Sequence, residues 1–135
     1  MKKYRHLLVL LPLLFAGFLV RLYRINEPLA DWHSWRQVDT AGVTRIYVQE
    51  GIDLVHPRYM DMSSIPSGQE NPRGHRMVEF PFINGLVALI TRTGRQIGIG
   101  WDLVVWERLA SIVFSLGSAL MLYHIVRKNI SVEVS

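Results

Sequence analysis

The chain contains no cysteine. That excludes a disulfide scaffold and any zinc site built on thiolates. It also has no internal repeat and no low-complexity tract. A further lack is the short periodic scatter of apolar residues that a soluble core needs. Half of the 135 residues are hydrophobic, but they gather in three blocks, Leu7–Val20, Phe80–Ile90 and Leu109–Val126. A long polar stretch between the first two keeps the mean hydropathy at only +0.19. Such a division fits a membrane protein with one large loop better than a globule.

The formal charge of +4 does not form a nucleic-acid stripe. Lys2, Lys3 and Arg5 precede the first block, Arg92, Arg95 and Arg108 separate the second and third, and Arg127 and Lys128 follow the last. Basic residues that bracket apolar blocks are membrane flanks, so nucleic acid is not expected as a partner.

The first block, flanked by Tyr4, Leu22 and Tyr23 and with Arg21 able to snorkel, reaches the roughly 20 residues that a bilayer requires. Pro12 within it is tolerated in membrane helices. A cleaved leader shares the basic start and short apolar run. An anchor is favoured because the small residues Ala16 and Gly17 lie inside the run rather than before a polar start. The third block is the cleanest span, and its Ser111, Ser115, Gly117, Ser118 and Ala119 permit close helix approach. The second, EFPFINGLVALI, is shorter; it is either a span extended by its flanks or a re-entrant or interfacial segment. A span is favoured, since without it the polar stretch has no return, and Pro81 suits the first position of its helix.

The expectation is therefore an all-α integral membrane protein. It has about three transmembrane helices near 5–23, 80–98 and 106–126, and a large exterior loop, 24–79, that contains an interfacial amphipathic helix. With the basic N-terminus cytoplasmic, Arg92–Arg108 falls inside as well. Arg127 and Lys128 fall outside, the one violation of the positive-inside rule.

Within the loop, Ser34 and Gln37 have the spacing of a capping box, which predicts a helix from about Trp35 to Glu50 closed by Gly51. On its wheel Trp35, Val38, Gly42 and Ile46 form an apolar stripe, with Arg36, Gln37, Thr40 and Thr44 on the other side. Asp39 falls at the edge of that stripe, where a carboxylate needs a partner. Arg36, one turn back, is the expected one, either as a plain surface pair or as part of a site. Asp31 and His33, in the connection before this helix, read as a general base, as metal ligands, or as solvated loop residues. Trp32 and Trp35 read as interfacial anchors. The stretch Ser63–Arg76 is rich in Gly, Pro, Ser and Asn and is expected to be a loop. It ends with Arg73, His75 and Arg76, suited to a phosphate or to ordinary interfacial charge. Glu79 then stands at the mouth of the second block, a functional candidate by its position.

Taken together, RLYRINEPL, HSWRQVDTAGVTRIYVQEGIDLVHPR, EFPFINGLVALI and ERLASIVFSL resemble the start of GT-C superfamily membrane glycosyltransferases. The likeness is to the family of protein O-mannosyltransferases and the lipid A aminoarabinose transferase, and it covers nearly the whole chain. It implies a polytopic helical enzyme of the cell envelope, in a bacterial inner membrane, with its first loop extracytoplasmic. It also implies transfer of a sugar from a polyprenyl-phosphate donor to a lipid or glycan acceptor, with an acidic residue of that loop in catalysis. By the resemblance the catalytic carboxylate is Asp39 or Asp31, and His33, Arg36, Gln37, Arg76 and Glu79 line the substrate.

Relatives carry an adjacent Asp-Glu pair near the position of Arg36-Gln37, which leaves Asp31 and Asp39 both open. They also often have a basic residue where Glu79-Phe80 stand, and Glu79 itself would repel phosphate. Such enzymes have many more spans, so this chain is expected to be an N-terminal portion, inactive in isolation. No cofactor is called for and no metal site is assigned, although a divalent cation stays an open alternative at Asp31 and His33. The rival reading is a small non-enzymatic membrane protein whose loop binds a partner.

Overall fold

The computed structural model describes residues 6–29, 34–63, 68–76 and 79–130. Among them the protein is all-helical, with α1 Leu7–Leu22, α2 Trp35–Glu50, α3 Phe82–Gln96 and α4 Leu103–Ile130. The described residues fall into two compact units, one drawn from Met1–Ile25 with Arg108–Ser135 and one from Asn26–Glu107.

The first unit is a helical hairpin of α1 and the larger part of α4. Four sets of contacts fix its direction. The His6 ring stacks on Tyr123, with centroids 6.0 Å apart, and its Nε2 lies 2.7 Å from Arg127 Nη1. A Cβ on Gly17 would stand 3.8 Å from Leu116, and Arg21 Nη2 donates to Ser115 Oγ at 3.1 Å. Arg108 Nη1 donates to the carbonyls of Arg24 and Ile25 at 2.8 and 2.7 Å. Residue numbers rise along α1 as they fall along α4, so the two helices are antiparallel. Arg24 has φ +57, a left-handed conformation that L-residues avoid. The two bonds from Arg108 hold the turn there.

α4 is the one helix among the described residues that is long and apolar enough to cross a membrane, over Leu103–Asn129. At 1.5 Å per residue it is roughly 42 Å long, against roughly 24 Å for α1 and 22 Å for α3. α1 is a shorter apolar helix that buries no residue. Apolar side chains on both helices face outward, Leu8, Leu13, Val113, Met121 and Leu122 among them.

The second unit is built on α2 packed against α3. Val43, Tyr47 and Ala88 form its core, with Val48, Leu54 and Tyr59 around them. The predicted bounds of α2 match the observed ones, and Gly51 closes it: its N–H donates to Tyr47 O at 3.2 Å. Its φ of +121 and ψ of 161 lie in a region that only glycine enters at low cost.

The other end of α2 differs from expectation. Ser34 has helical torsions, φ −79 and ψ −3, and makes no side-chain cap. A capping hydroxyl must come from an extended residue to reach back to the N2 or N3 amide, so the Ser34–Gln37 box does not form.

The buried face of α2 also differs. Ala41, Val43, Thr44 and Tyr47 are buried, whereas Trp35 and Val38 of the expected stripe are exposed. Thr44 can face the core because its hydroxyl donates to Thr40 O at 3.0 Å within its own helix. Asn84 of α3 then bridges the pair, donating to Thr40 O at 2.8 Å and to Thr44 Oγ1 at 3.1 Å. A buried hydroxyl with its bonds made carries little desolvation cost.

The second apolar block becomes α3, which begins at Phe82 with Pro81 one position earlier, at its N-cap.

Candidate functional site

The exposed start of α2 and the start of α3 meet a short antiparallel ribbon. Tyr59 N–H donates to Gly74 O at 2.9 Å and Arg76 N–H to Pro57 O at 2.8 Å, around an isolated bridge between Arg58 and His75. Asn71 clamps the ribbon's return: its Oδ1 accepts from His75 N–H at 2.8 Å and its Nδ2 donates to His75 O at 3.0 Å. Gly74, at φ +63, allows the tight approach. A Cβ there would stand 2.4 Å from Tyr59 O.

This ribbon delivers Arg76 to Asp39. Arg76 Nη2 donates to Asp39 Oδ2 at 2.5 Å, and both side chains are about three-quarters buried, with relative exposures of 28% and 27%. The guanidinium also lies over the Tyr59 ring, 4.9 Å from its centroid, and donates from Nη1 to Tyr59 Oη at 3.2 Å. Tyr59 Oη in turn donates to Asp61 Oδ2 at 3.2 Å. Asp61 is held below the ordinary carboxylate range by Ser63, through its hydroxyl and its N–H, with smaller help from Tyr59 and Arg76.

Arg36 is therefore not the partner of Asp39. It pairs instead with Glu79. An i,i+3 pair on one helix gains a few tenths of a kcal/mol, and Asp39 finds a less exposed cation from another segment. The two ion pairs, Asp39–Arg76 and Arg36–Glu79, border one cavity of about 250 Å³, lined also by Trp35, Thr40, Val43, Pro57, Pro81 and Asn84. A second cavity, about 720 Å³, also has Asp39 in its lining. Its lining includes Val38, Arg45, Tyr59, Asp61, Asp102 and Val105. Asp39 is the residue that lines both.

Of the residues expected at a site, Asp39, Arg36, Arg76 and Glu79 are brought together. Gln37 is exposed and lines neither cavity. Arg73 is exposed, and His75 turns to the His56 ring, centroids 6.2 Å apart, so Arg76 alone of that trio lines a cavity. Asp31 and His33 lie outside the described residues, as does Trp32. No cluster of metal-ligand type occurs among the described residues. Tyr59 and Asn84 went unpredicted. An asparagine inside an apolar helix start was the available signal for Asn84; Tyr59 offered none, since its role depends on the ribbon. Comparison with protein-family models, with curated proteins and with solved structures returned no match.

Proposed function

We propose that the chain is the N-terminal part of a membrane glycosyltransferase. It moves a sugar from a polyprenyl-phosphate donor to a lipid or glycan acceptor outside a bacterial inner membrane, with loop 24–79 extracytoplasmic. The outward apolar faces of α1 and α4 support the membrane location, because exposed apolar surface of that extent is rare on soluble monomers.

The observation that carries the proposal is the presence of Asp39 in the lining of two cavities. A transferase base must reach the acceptor hydroxyl while the donor phosphate is held elsewhere. In this reading the donor phosphate occupies the smaller cavity and the acceptor enters from the larger one. The Arg36–Glu79 pair is highly exposed, 68% on each side chain. Pairs of that kind are worth about 0–1 kcal/mol, so a phosphate can displace Glu79 from Arg36 at small cost. The Asp39–Arg76 pair is the more buried and stays to hold the carboxylate in place.

The acceptor oxygen then bonds to the sugar C1 as the C1–O bond to phosphate breaks. The hydroxyl proton passes to Asp39, and the polyprenyl phosphate departs against the guanidinium groups. The test is transfer of labelled sugar from a polyprenyl-phosphate donor in membranes that carry the protein in its natural context. Asp39→Asn is expected to abolish transfer while insertion is unchanged. Full activity in that variant overturns the assignment of Asp39.

A further inference from the structure

We infer that Tyr59 is a positioning residue for the transfer proposed above: its ring and hydroxyl fix the Arg76 guanidinium against Asp39, and Asp61 fixes the direction of that hydroxyl. The inference rests on the transferase reading for its reaction and on the second unit alone for its geometry.

Arginine has five N–H donors and no acceptor. A single bond to a carboxylate leaves its guanidinium free to swing about that oxygen. Arg76 is held at both terminal nitrogens: Nη2 donates to Asp39 Oδ2 at 2.5 Å and Nη1 to Tyr59 Oη at 3.2 Å. Two bonds from one rigid plane to two segments fix its tilt. The Tyr59 ring, 4.9 Å from Arg76 Cζ, adds the electron-rich face on which a guanidinium rests. Arg36, by contrast, pairs with Glu79 across two highly exposed side chains.

The Tyr59 hydroxyl has one proton, and Arg76 cannot accept it. The proton goes to Asp61, whose Oδ2 lies 3.2 Å away. Asp61 is fixed in turn, because its Oδ1 accepts from Ser63 N–H at 2.8 Å. With the proton on that side, the lone pairs of the phenol oxygen face Arg76. The bonds from Ser63 also keep Asp61 anionic, holding its carboxyl below the ordinary range, so Asp61 accepts and does not donate.

The ring is held as well. Tyr59 N–H donates to Gly74 O at 2.9 Å. Its side chain packs on α2 at Gly42, where a Cβ would stand 3.5 Å from Tyr59 Cβ. Asp39 and Gly42 are three residues apart and so neighbours on the helix surface. The helix that carries the base therefore also supports the ring that backs its partner. A base acts only within hydrogen-bond reach of the proton it takes, and a misplacement of about 1 Å costs on the order of a hundredfold in rate. Tyr59 and Asp61 act in this role through Arg76.

Two mild variants test it. Tyr59→Phe keeps the ring and its packing and removes the hydroxyl; Asp61→Ala changes an exposed residue. In the protein labelled with nitrogen-15 arginine in detergent micelles, and assigned with Arg76→Lys, the heteronuclear NOE of Arg76 Nε–Hε reads side-chain order. Each variant should lower it toward the value of the exposed Arg73, and the double variant should lower it no further than Tyr59→Phe alone. An NOE unchanged in Tyr59→Phe overturns the inference. In membranes supplied with a labelled polyprenyl-phosphate sugar, Tyr59→Phe should lower kcat about tenfold and leave KM for the donor within about twofold, the mark of an interaction used in the transition state. An unchanged kcat, or additive losses from Tyr59→Phe and Asp61→Ala, also overturns it. The order of Arg76 is read without sugar, so failure of the positioning chain is distinct from failure of the transferase reading, which shows as no transfer by the unaltered protein.

Discussion

Arg76 Nη2 lies 2.5 Å from Asp39 Oδ2, across 37 positions of chain. The pair ties the ribbon at 57–59 and 74–76 to the first turns of α2, and the Tyr59 ring backs the guanidinium. With both side chains about three-quarters buried, its value lies above that of an open surface pair. A double-mutant cycle with Asp39→Ala and Arg76→Ala should give a coupling of about 1 kcal/mol, read from denaturation in detergent micelles. Additive single effects would mean that the two residues do not sense each other.

Gly74 is the hinge of the same ribbon. Alanine there meets both a positive φ and a contact of 2.4 Å with Tyr59 O. Gly74→Ala should destabilise the second unit by roughly 1–2 kcal/mol or more, whereas Gly68→Ala, with nothing within 4 Å of its Cβ, meets only its φ of +77. Thermal melts of the two variants separate the steric contact from the backbone strain. Equal losses would remove the contact from the account.

Asp53 predicts an acid-side transition. The backbone N–H groups of His56 and Val55 both donate to its Oδ1 at 3.0 Å. These bonds, with a smaller contribution from the His56 side chain, hold its carboxyl below the ordinary 3.8. A carboxylate whose pKa is lower folded than unfolded adds stability above the unfolded value. That stability is lost as pH falls through the folded value. The amide shifts of Val55 and His56 should therefore titrate with a midpoint below 3.8, and Asp53→Asn should remove the transition. A midpoint at or above 3.8 would contradict the turn geometry.

Tyr47 works at the alkaline side. Its hydroxyl donates to Asp53 O at 2.5 Å, and burial, then the nearby Asp53 charge, push its pKa above 10.0. The stability that it adds is complete below 10.0 and is lost as pH rises through the higher folded value. Tyr47→Phe should cost about 1 kcal/mol near neutrality and abolish the folded protein's high-pH phenolate step by ultraviolet difference spectroscopy. An unchanged step would assign it to other tyrosines.

The existence and bounds of α2 were legible because Gly51 ends a helical pattern at a backbone conformation suited to glycine. Its orientation was not. A wheel counts threonine as polar, yet Thr44 satisfies its hydroxyl within the helix and through Asn84, which frees that face for burial. That Asp39, Arg36, Arg76 and Glu79 deserved notice was legible from charge in unusual places, and the four line one cavity. Their pairing was not, because a ribbon far along the chain, turned at Gly74, chooses the partner of Asp39. A third crossing was expected because a polar stretch needed a return; among the described residues one helix, α4, is long and apolar enough to cross a membrane.

In the proposed function, the cavity bordered by the two ion pairs receives the phosphate of a lipid-linked sugar. Equilibrium binding of a radiolabelled polyprenyl-phosphate hexose to the protein in nanodiscs tests it most directly. Arg36→Ala and Arg76→Ala should each weaken binding tenfold or more, about 1.4 kcal/mol, while binding of the corresponding polyprenol without phosphate is unaffected. Donor binding unchanged in the double variant Arg36→Ala/Arg76→Ala would contradict it.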